Sequence, residues 1–225
     1  MRRVFSALVV ALMTSASATA AAQDSASTSL APMIITATRG AGLSVLDAPF
    51  AVTAITPDSI RPGQRHIALD ESLLIIPGLA AQSRNNPAQD PRLSIRGFGA
   101  RSAFGVRGVR VLRDGMPLTL PDGQTPVDYL SLESVGRVDV IRGAASALYG
   151  NASGGVIDLR TSAPSQAPIG GELHQTFGSD DMLRTSIIAG GRQGSIRYQG
   201  DIAHFRTDGF RVHARQRATS GFGRA

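Results

Sequence analysis

Residues 135–161, VGRVDVIRGAASALYGNASGGVIDLRT, constrain this chain more than any other stretch. Val138 and Val140 form an alternating apolar run that exits into Arg142-Gly143, and a second run carries Val156 and Leu159. Between them lie an Ala-rich helical turn, a Tyr149-Gly150 corner and the Gly154-Gly155 pair. Period-2 alternation predicts two strands, and the glycines mark places where the backbone needs positive φ or close approach. The stretch reads as strand, short helix, tight turn, strand, which is an α+β unit.

The chain before it extends that unit. Phe50 to Ile55 alternates as a strand and breaks at Thr56-Pro57-Asp58. From Ala68 to Ile76, the apolar residues Leu69, Leu73, Leu74 and Ile76 recur at helical spacing until Pro77-Gly78 stops them. A polar loop follows from Gln82 to Pro91. Arg92 to Gly97 and Val109 to Pro117 then read as strands, the second running into an Asp114-Gly115 turn.

The amino terminus has the pattern of a secretory signal peptide over 1–22. It has a basic Met1-Arg2-Arg3 start, an apolar run of about ten residues and the small-residue end Ala20-Ala21-Ala22. The run is too short for a spanning helix. Residues 23–31 are Ser/Ala/Thr-rich and too polar to pack, so a disordered leader is expected. Pro32-Met33-Ile34-Ile35-Thr36-Ala37-Thr38 is a short, sticky β-forming segment.

Several function classes are excluded on chemistry. There is no Cys, hence no disulfide framework and no thiolate metal site. The four histidines (His66, His174, His204, His213) are widely spaced and make no metal-ligand pair. Gly97-Phe98-Gly99 begins like a dinucleotide loop, but Ser102 replaces the third glycine and no helix pattern follows. No Ser sits in a nucleophile elbow, and Asp139 and Asp158 resemble no catalytic dyad. Neither an enzyme nor a cofactor is expected. The net charge of +6 comes from arginines without any lysine. These are scattered rather than clustered on one face, and a secretory signal argues against a nucleic-acid partner.

Beyond 164–168 the pattern changes. Leu173 and Phe177 alternate with Glu172, His174 and Thr176; Leu183, Thr185, Ile187 and Ala189 alternate with Arg184 and Ser186. A Gly190 to Gly194 turn leads to Ile196, Tyr198 and Ile202 opposite Arg197, Gln199 and Asp201. This predicts three antiparallel strands over 169–207 with one apolar and one polar face, as in a membrane barrel. Residues 208–225 show no alternation and are expected to form an irregular tail. Three strands cannot close a barrel, and aromatics make up only 5% of the chain. A fragment or truncated reading frame, unable to transport alone, is the expectation.

The motifs resemble the plug domain of TonB-dependent outer-membrane receptors. Residues 136–158 are similar to E-R-[IV]-E-V-[IL]-R-G-P-x-S-x-L-Y-G-x-x-A-x-G-G-V-I-N, with Gly136 where the family usually has Glu and Ala144 where it has Pro. Leu73 or Leu74 with Pro77-Gly78 looks like L-x-x-x-P-G, Ile95 to Phe98 like I-R-G-F, and Val111 to Pro117 like V-L-x-D-G-x-P. The resemblance implies an α+β plug (45–163), a mixed small sheet with short helices, followed by the first strands of an incomplete transmembrane β-barrel. It implies that 32–38 is a TonB box, with Met33, Ile34, Ile35, Thr36 and Ala37 offered to a TonB-type energy-coupling protein by strand addition. It implies that Arg96 and Arg142 pair with glutamates on the inner barrel wall. Arg84, Asn85, Asn86 and Arg101 lie in loops that would face a ferric chelate. The function implied is energy-coupled uptake of a chelated nutrient, a ferric siderophore or iron citrate, at the bacterial outer membrane. The alternative is a free periplasmic plug module that binds the coupling protein or a chelate without transport.

Overall fold

The computed structural model describes residues 34–35, 43–44, 51–56, 67–84, 86, 88–102, 104–143 and 149–225, all within one compact unit, Pro32–Ala225. The expected signal peptide, the leader, Met33, Thr36, Ala37, Asn85 and the Ala-rich turn at 144–148 lie outside the described residues.

Two short strands, β1 (Ile34–Ile35) and β2 (Leu43–Ser44), pair antiparallel. The centre of the fold is a five-stranded mixed sheet in the order β3-β8-β9-β6-β7. Its members are β3 (Ala51–Ile55), β6 (Val109–Arg113), β7 (Met116–Pro117), β8 (Val135–Arg142) and β9 (Gly155–Thr161). β6 runs parallel to β9 and the other pairs are antiparallel. Asp114 and Gly115, both at positive φ, make the tight β6–β7 turn.

Both sheet faces are buried, as the near-continuous apolar runs of β6, β8 and β9 require. On one face Val109, Val111, Val138, Val140, Ile157 and Leu159 pack against α1 (Leu69–Leu73), the β4–β5 hairpin (Leu79–Gln82, Arg92–Ile95) and the 118–134 connection. On the other, Leu112, Ile141, Val156 and Ala152 cluster with Val52 and Tyr149. Helix α1 is shorter than its apolar spacing suggests. Leu69, Leu73 and Ile76 are buried, whereas Leu74 turns outward. The chain is already turning into Pro77-Gly78, where Ile76 N–H bonds Leu73 O and Leu79 N–H bonds Ile76 O.

Gly136, one of the two departures from the family motif, has a steric reason. A Cβ there would lie 2.5 Å from Ser162 Oγ and 2.9 Å from its Cα. The pairing of β8 with β9 is irregular at this point, between Val135 and Arg137, so the ends of the two strands close onto each other.

A second sheet follows: β10 (Gly170–Phe177), β11 (Leu183–Gln193), β12 (Ile196–Thr207) and β13 (Gln216–Arg224), antiparallel and in sequence order. Two expectations are corrected here. The tail is not irregular, because Gln216–Arg224 is a fourth strand in register with β12 from Thr207↔Gln216 to Gln199↔Arg224. Gly190 and Gly191 are not in a turn, because β11 continues to Gln193 and the hairpin closes through Gly194 and Ser195. Gly191 is required by close approach, since a Cβ would collide with Pro168 O of the linker.

β11 and β12, with 11 and 12 residues, match the length needed to cross a bilayer at a tilt. The outward face carries an exposed apolar row, Leu173, Ile187 and Ile202 across three strands, with Phe177 and Ile196 nearby; toward β13 it becomes polar, with His204, Arg206, Arg217 and Thr219. The opposite face, including Arg184, Ser186, Gln199 and Asp201, is buried.

Candidate functional site

The buried face of the second sheet, which also carries Ala203 and Phe205, meets the plug through a network of charged and polar groups. Two plug elements supply the groups: the end of β6 with its turn (Arg113, Asp114) and the connection that carries Ser131, Glu133 and Ser134. The strands supply Arg184, Ser186, Gln199, Asp201, Phe222 and Arg224.

Glu133 is the anchor. Its Oε1 accepts from Arg184 Nε at 3.0 Å and from Arg184 Nη2, and its Oε2 accepts from Ser186 Oγ at 2.7 Å. The two charged side chains are only 7% and 8% exposed, so each depends on the other for neutralisation. Alternation on β11 places Arg184 and Ser186 on one face, which lets a single carboxylate engage both.

Arg113 is the second contact. It donates from Nη1 to Ser131 O at 3.0 Å and from Nη2 to Ser134 Oγ at 2.8 Å. Its guanidinium carbon lies 3.5 Å from the centroid of the Phe222 ring on β13. Burial lowers its pKa, opposed by the charges of Asp201 and Asp114. Asp201 in turn accepts from Ser131 Oγ. The third contact is Asp114, whose carboxylate accepts Thr161 N–H at 2.8 Å and Thr161 Oγ1 at 2.6 Å and lies 3.4 Å from Arg224 Nη1. Arg224 Nη2 also donates to Ser162 O at 2.9 Å.

The residues expected to be functional fall elsewhere. Arg142 donates to Pro77 O at 2.6 Å and to Thr53 Oγ1 at 3.0 Å, which ties the helix stop to β3. Arg96, at φ 51, lies beside it; a Cβ on Gly143 would be 3.9 Å from Arg96 Nη1. The structure thus brings the two arginines to one place, and among the described residues no ion pair reaches either. The two plug–strand pairs it does contain, Glu133–Arg184 and Asp114–Arg224, have the opposite polarity, with the carboxylate on the plug and the arginine on the strand.

Arg84 and Asn86 line a cleft of about 570 Å³ bounded across the gap by Asp180, Met182, Phe210 and Arg211 from the loops after β10 and β12. These two loops are tied together by Asp208 N–H and Thr207 Oγ1, both donating to Asp180 O. Arg101 is exposed and outside this cleft. Ile34 and Ile35 are paired with Ser44 and Leu43. His174 contacts Glu172 and His204 contacts Thr219, and among the described residues no cluster of metal-ligating side chains forms. No helix among them is long and apolar enough to cross a membrane, which says nothing of crossing by strands.

Sequence reading missed Glu133, Arg113, Asp114 and Arg224 as interface residues. The usable signal was the polar side of the alternating strands, which requires complementary charges on whatever it covers.

Comparison with known proteins agrees with this architecture. The family model of the TonB-dependent Receptor Plug Domain matches residues 44–156. A hemin receptor of Yersinia enterocolitica is 34% identical over 131 residues, covering 57% of this chain and 18% of that protein. Among solved structures, the pyoverdine outer membrane receptor FpvA of Pseudomonas aeruginosa superposes with a TM-score of 0.67 at 20% identity, over 85% of this chain and 27% of that one. The ferric yersiniabactin uptake receptor FyuA of Yersinia pestis gives 0.53 at 21% identity, over 70% of this chain and 24% of that one. The chain spans roughly a fifth to a quarter of these relatives' lengths. With half its residues matched by the family model, and a mixed plug sheet followed by antiparallel strands, this chain belongs to the TonB-dependent receptor plug-domain family.

Proposed function

We propose that the chain supplies the plug and first wall strands of an outer-membrane receptor for energy-coupled uptake of chelated iron, a ferric siderophore or iron citrate, with haem brought into the range by the hemin receptor relative. One observation carries the reading. The plug is fastened by a buried ion pair to the inner face of strands whose outer face carries an exposed apolar row. Such strands suit a wall with lipid on one side and a plug on the other.

In this reading Arg84, Asn85, Asn86 and Arg101 meet the chelate, and the cleft of Arg84 and Asn86 is its entrance. Arg96 and Arg142 await wall glutamates from further strands. Met33, Ile34, Ile35, Thr36 and Ala37 are handed to the energy-coupling protein by strand addition, which requires Ile34–Ile35 to leave Leu43–Ser44.

The test is to express the chain in a Gram-negative host, fractionate the envelope and measure retention of radio-iron-labelled ferric citrate, a ferric catecholate and haemin by the purified protein. Outer-membrane recovery with saturable retention of one chelate supports the receptor. Soluble periplasmic protein that retains a chelate supports the free plug module instead. Protein that retains none of the three overturns the iron reading.

A further inference from the structure

The interface and the cleft leave one buried cluster unused. Asp139 on β8 and Asp158 on β9 are directly opposite each other in the register, and both are completely buried. Arg137 and Arg160 are likewise opposite one another, two residues along each strand. Arg137 Nε lies 2.7 Å from Asp139 Oδ1, and Arg160 Nη2 lies 2.6 Å from Asp158 Oδ2. The flanking positions are apolar: Ala54 of β3 is opposite Asp139, and Leu112 of β6 is opposite Asp158.

Like charges directly opposite across strands repel, and burial strengthens the repulsion. The two arginines balance the charge, yet each is a quarter or more exposed and shared with solvent. Asp139 Oδ2 has no hydrogen-bond partner among the described residues. A proton held between the carboxylates removes one charge and supplies the missing donor.

We propose that Asp139 and Asp158 form a proton-sharing carboxylate pair at the centre of the plug sheet, so that uptake of one proton in mild acid tightens the β8–β9 seam.

Burial is the main cause that raises Asp158 to about 6, with the Asp139 charge adding to it and Arg160 and the Gly115 N–H opposing. Asp139 is raised in the same direction, again first by burial, against Arg137 and Arg160. These are the charged groups that face the pair among the described residues. A carboxylate with a raised folded pKa weakens the fold where it is ionised. Stability is therefore lowest above about 6 and is recovered as pH falls through that value toward the ordinary 3.8. If the plug rearranges during the energy-coupled uptake proposed above, the seam yields most readily near neutral pH and stiffens in acid.

The test uses the full chain in detergent micelles. Between about pH 7.5 and pH 5 the folding equilibrium constant of the wild type should rise roughly tenfold more than that of Asp158→Asn. An infrared band of protonated carboxyl should grow over the same range and be weaker in Asp158→Asn. Arg160→Gln should move the midpoint to higher pH, an effect that general acid stabilisation would not produce. Should Asp158→Asn fail to fold, Asp139→Asn serves, and its midpoint should move to lower pH. A wild-type chain without the band, or an Asp158→Asn variant that keeps the wild-type gain, overturns the proposal. Either result leaves chelate binding and membrane location untouched.

Discussion

Removing the Glu133 carboxylate is the sharpest probe of how the two sheets are held together. Glu133→Ala leaves the Arg184 guanidinium, 8% exposed, without its partner and also frees the Ser186 hydroxyl that Glu133 Oε2 accepts. Breaking a buried ion pair by removing one partner destabilises by about 3–5 kcal/mol, and the lost hydroxyl bond adds about 1 kcal/mol. The expected loss is therefore about 4–6 kcal/mol, a large part of a domain's typical stability. Arg184→Ala should lose a similar amount through the stranded carboxylate. The double variant should lose less than the sum by a coupling of about 2–3 kcal/mol, because no orphaned charge remains. Combining Glu133→Leu with Arg184→Met, which exchanges the pair for apolar side chains of similar volume, should come close to neutral. The chain has no Trp, so denaturant unfolding in micelles would be followed by far-ultraviolet circular dichroism. A single-variant loss below about 1 kcal/mol, with no coupling in the double variant, would refute the claim that this pair fastens plug to wall.

Three further outcomes are expected. Arg113→Met keeps the stem but removes two donors and the contact with Phe222, and should lower stability by about 2–3 kcal/mol in the same unfolding assay. Gly155→Ala places a Cβ against Ile141 O at φ 143, and should destabilise by about 1–3 kcal/mol, with hydrogen-exchange protection lost first along β8 and β9. Ile157→Ala, which empties a fully buried position, should reduce stability by about 2–5 kcal/mol and leave the denaturant slope unchanged.

Much of the plug was legible because its strands obey simple rules. β3, β5, β6, β8 and β9 lie where alternation, apolar runs and bounding glycines put them. β4 escaped notice because Leu79-Ala80-Ala81-Gln82 offers small side chains with weak strand preference, and only pairing with β5 makes it a strand. β13 escaped for a related reason. Its outward positions are Arg217, Thr219, Gly221 and Gly223, which carry no apolar signal, while Phe222 and Arg224 point to the plug. The interface was least legible. Glu133 and Arg184 are 51 residues apart, and no local pattern announces such a contact. Arg96 and Arg142 stood out because they end recognisable motifs; Glu133 sits in an irregular connection without one, and Asp114 was read only as part of a turn.

The clamped linker has a mechanical consequence. Ser162 N–H bonds Ser134 O, Arg192 N–H bonds Ala167 O, and Tyr198 donates to Pro168 O, so the chain from β9 to β10 is pinned along its path. β9 is also flanked by β8 and β6, whereas β3 is an edge strand held on one side only, with Ile55 its one fully buried side chain. The plug therefore has a stiff end and a strippable end. Tension entering from the amino terminus would pass the short β1–β2 pair and then reach β3 at Ala51 opposite Arg142, where it could unzip the pairs with β8 in succession while the linker end stays bolted to the second sheet.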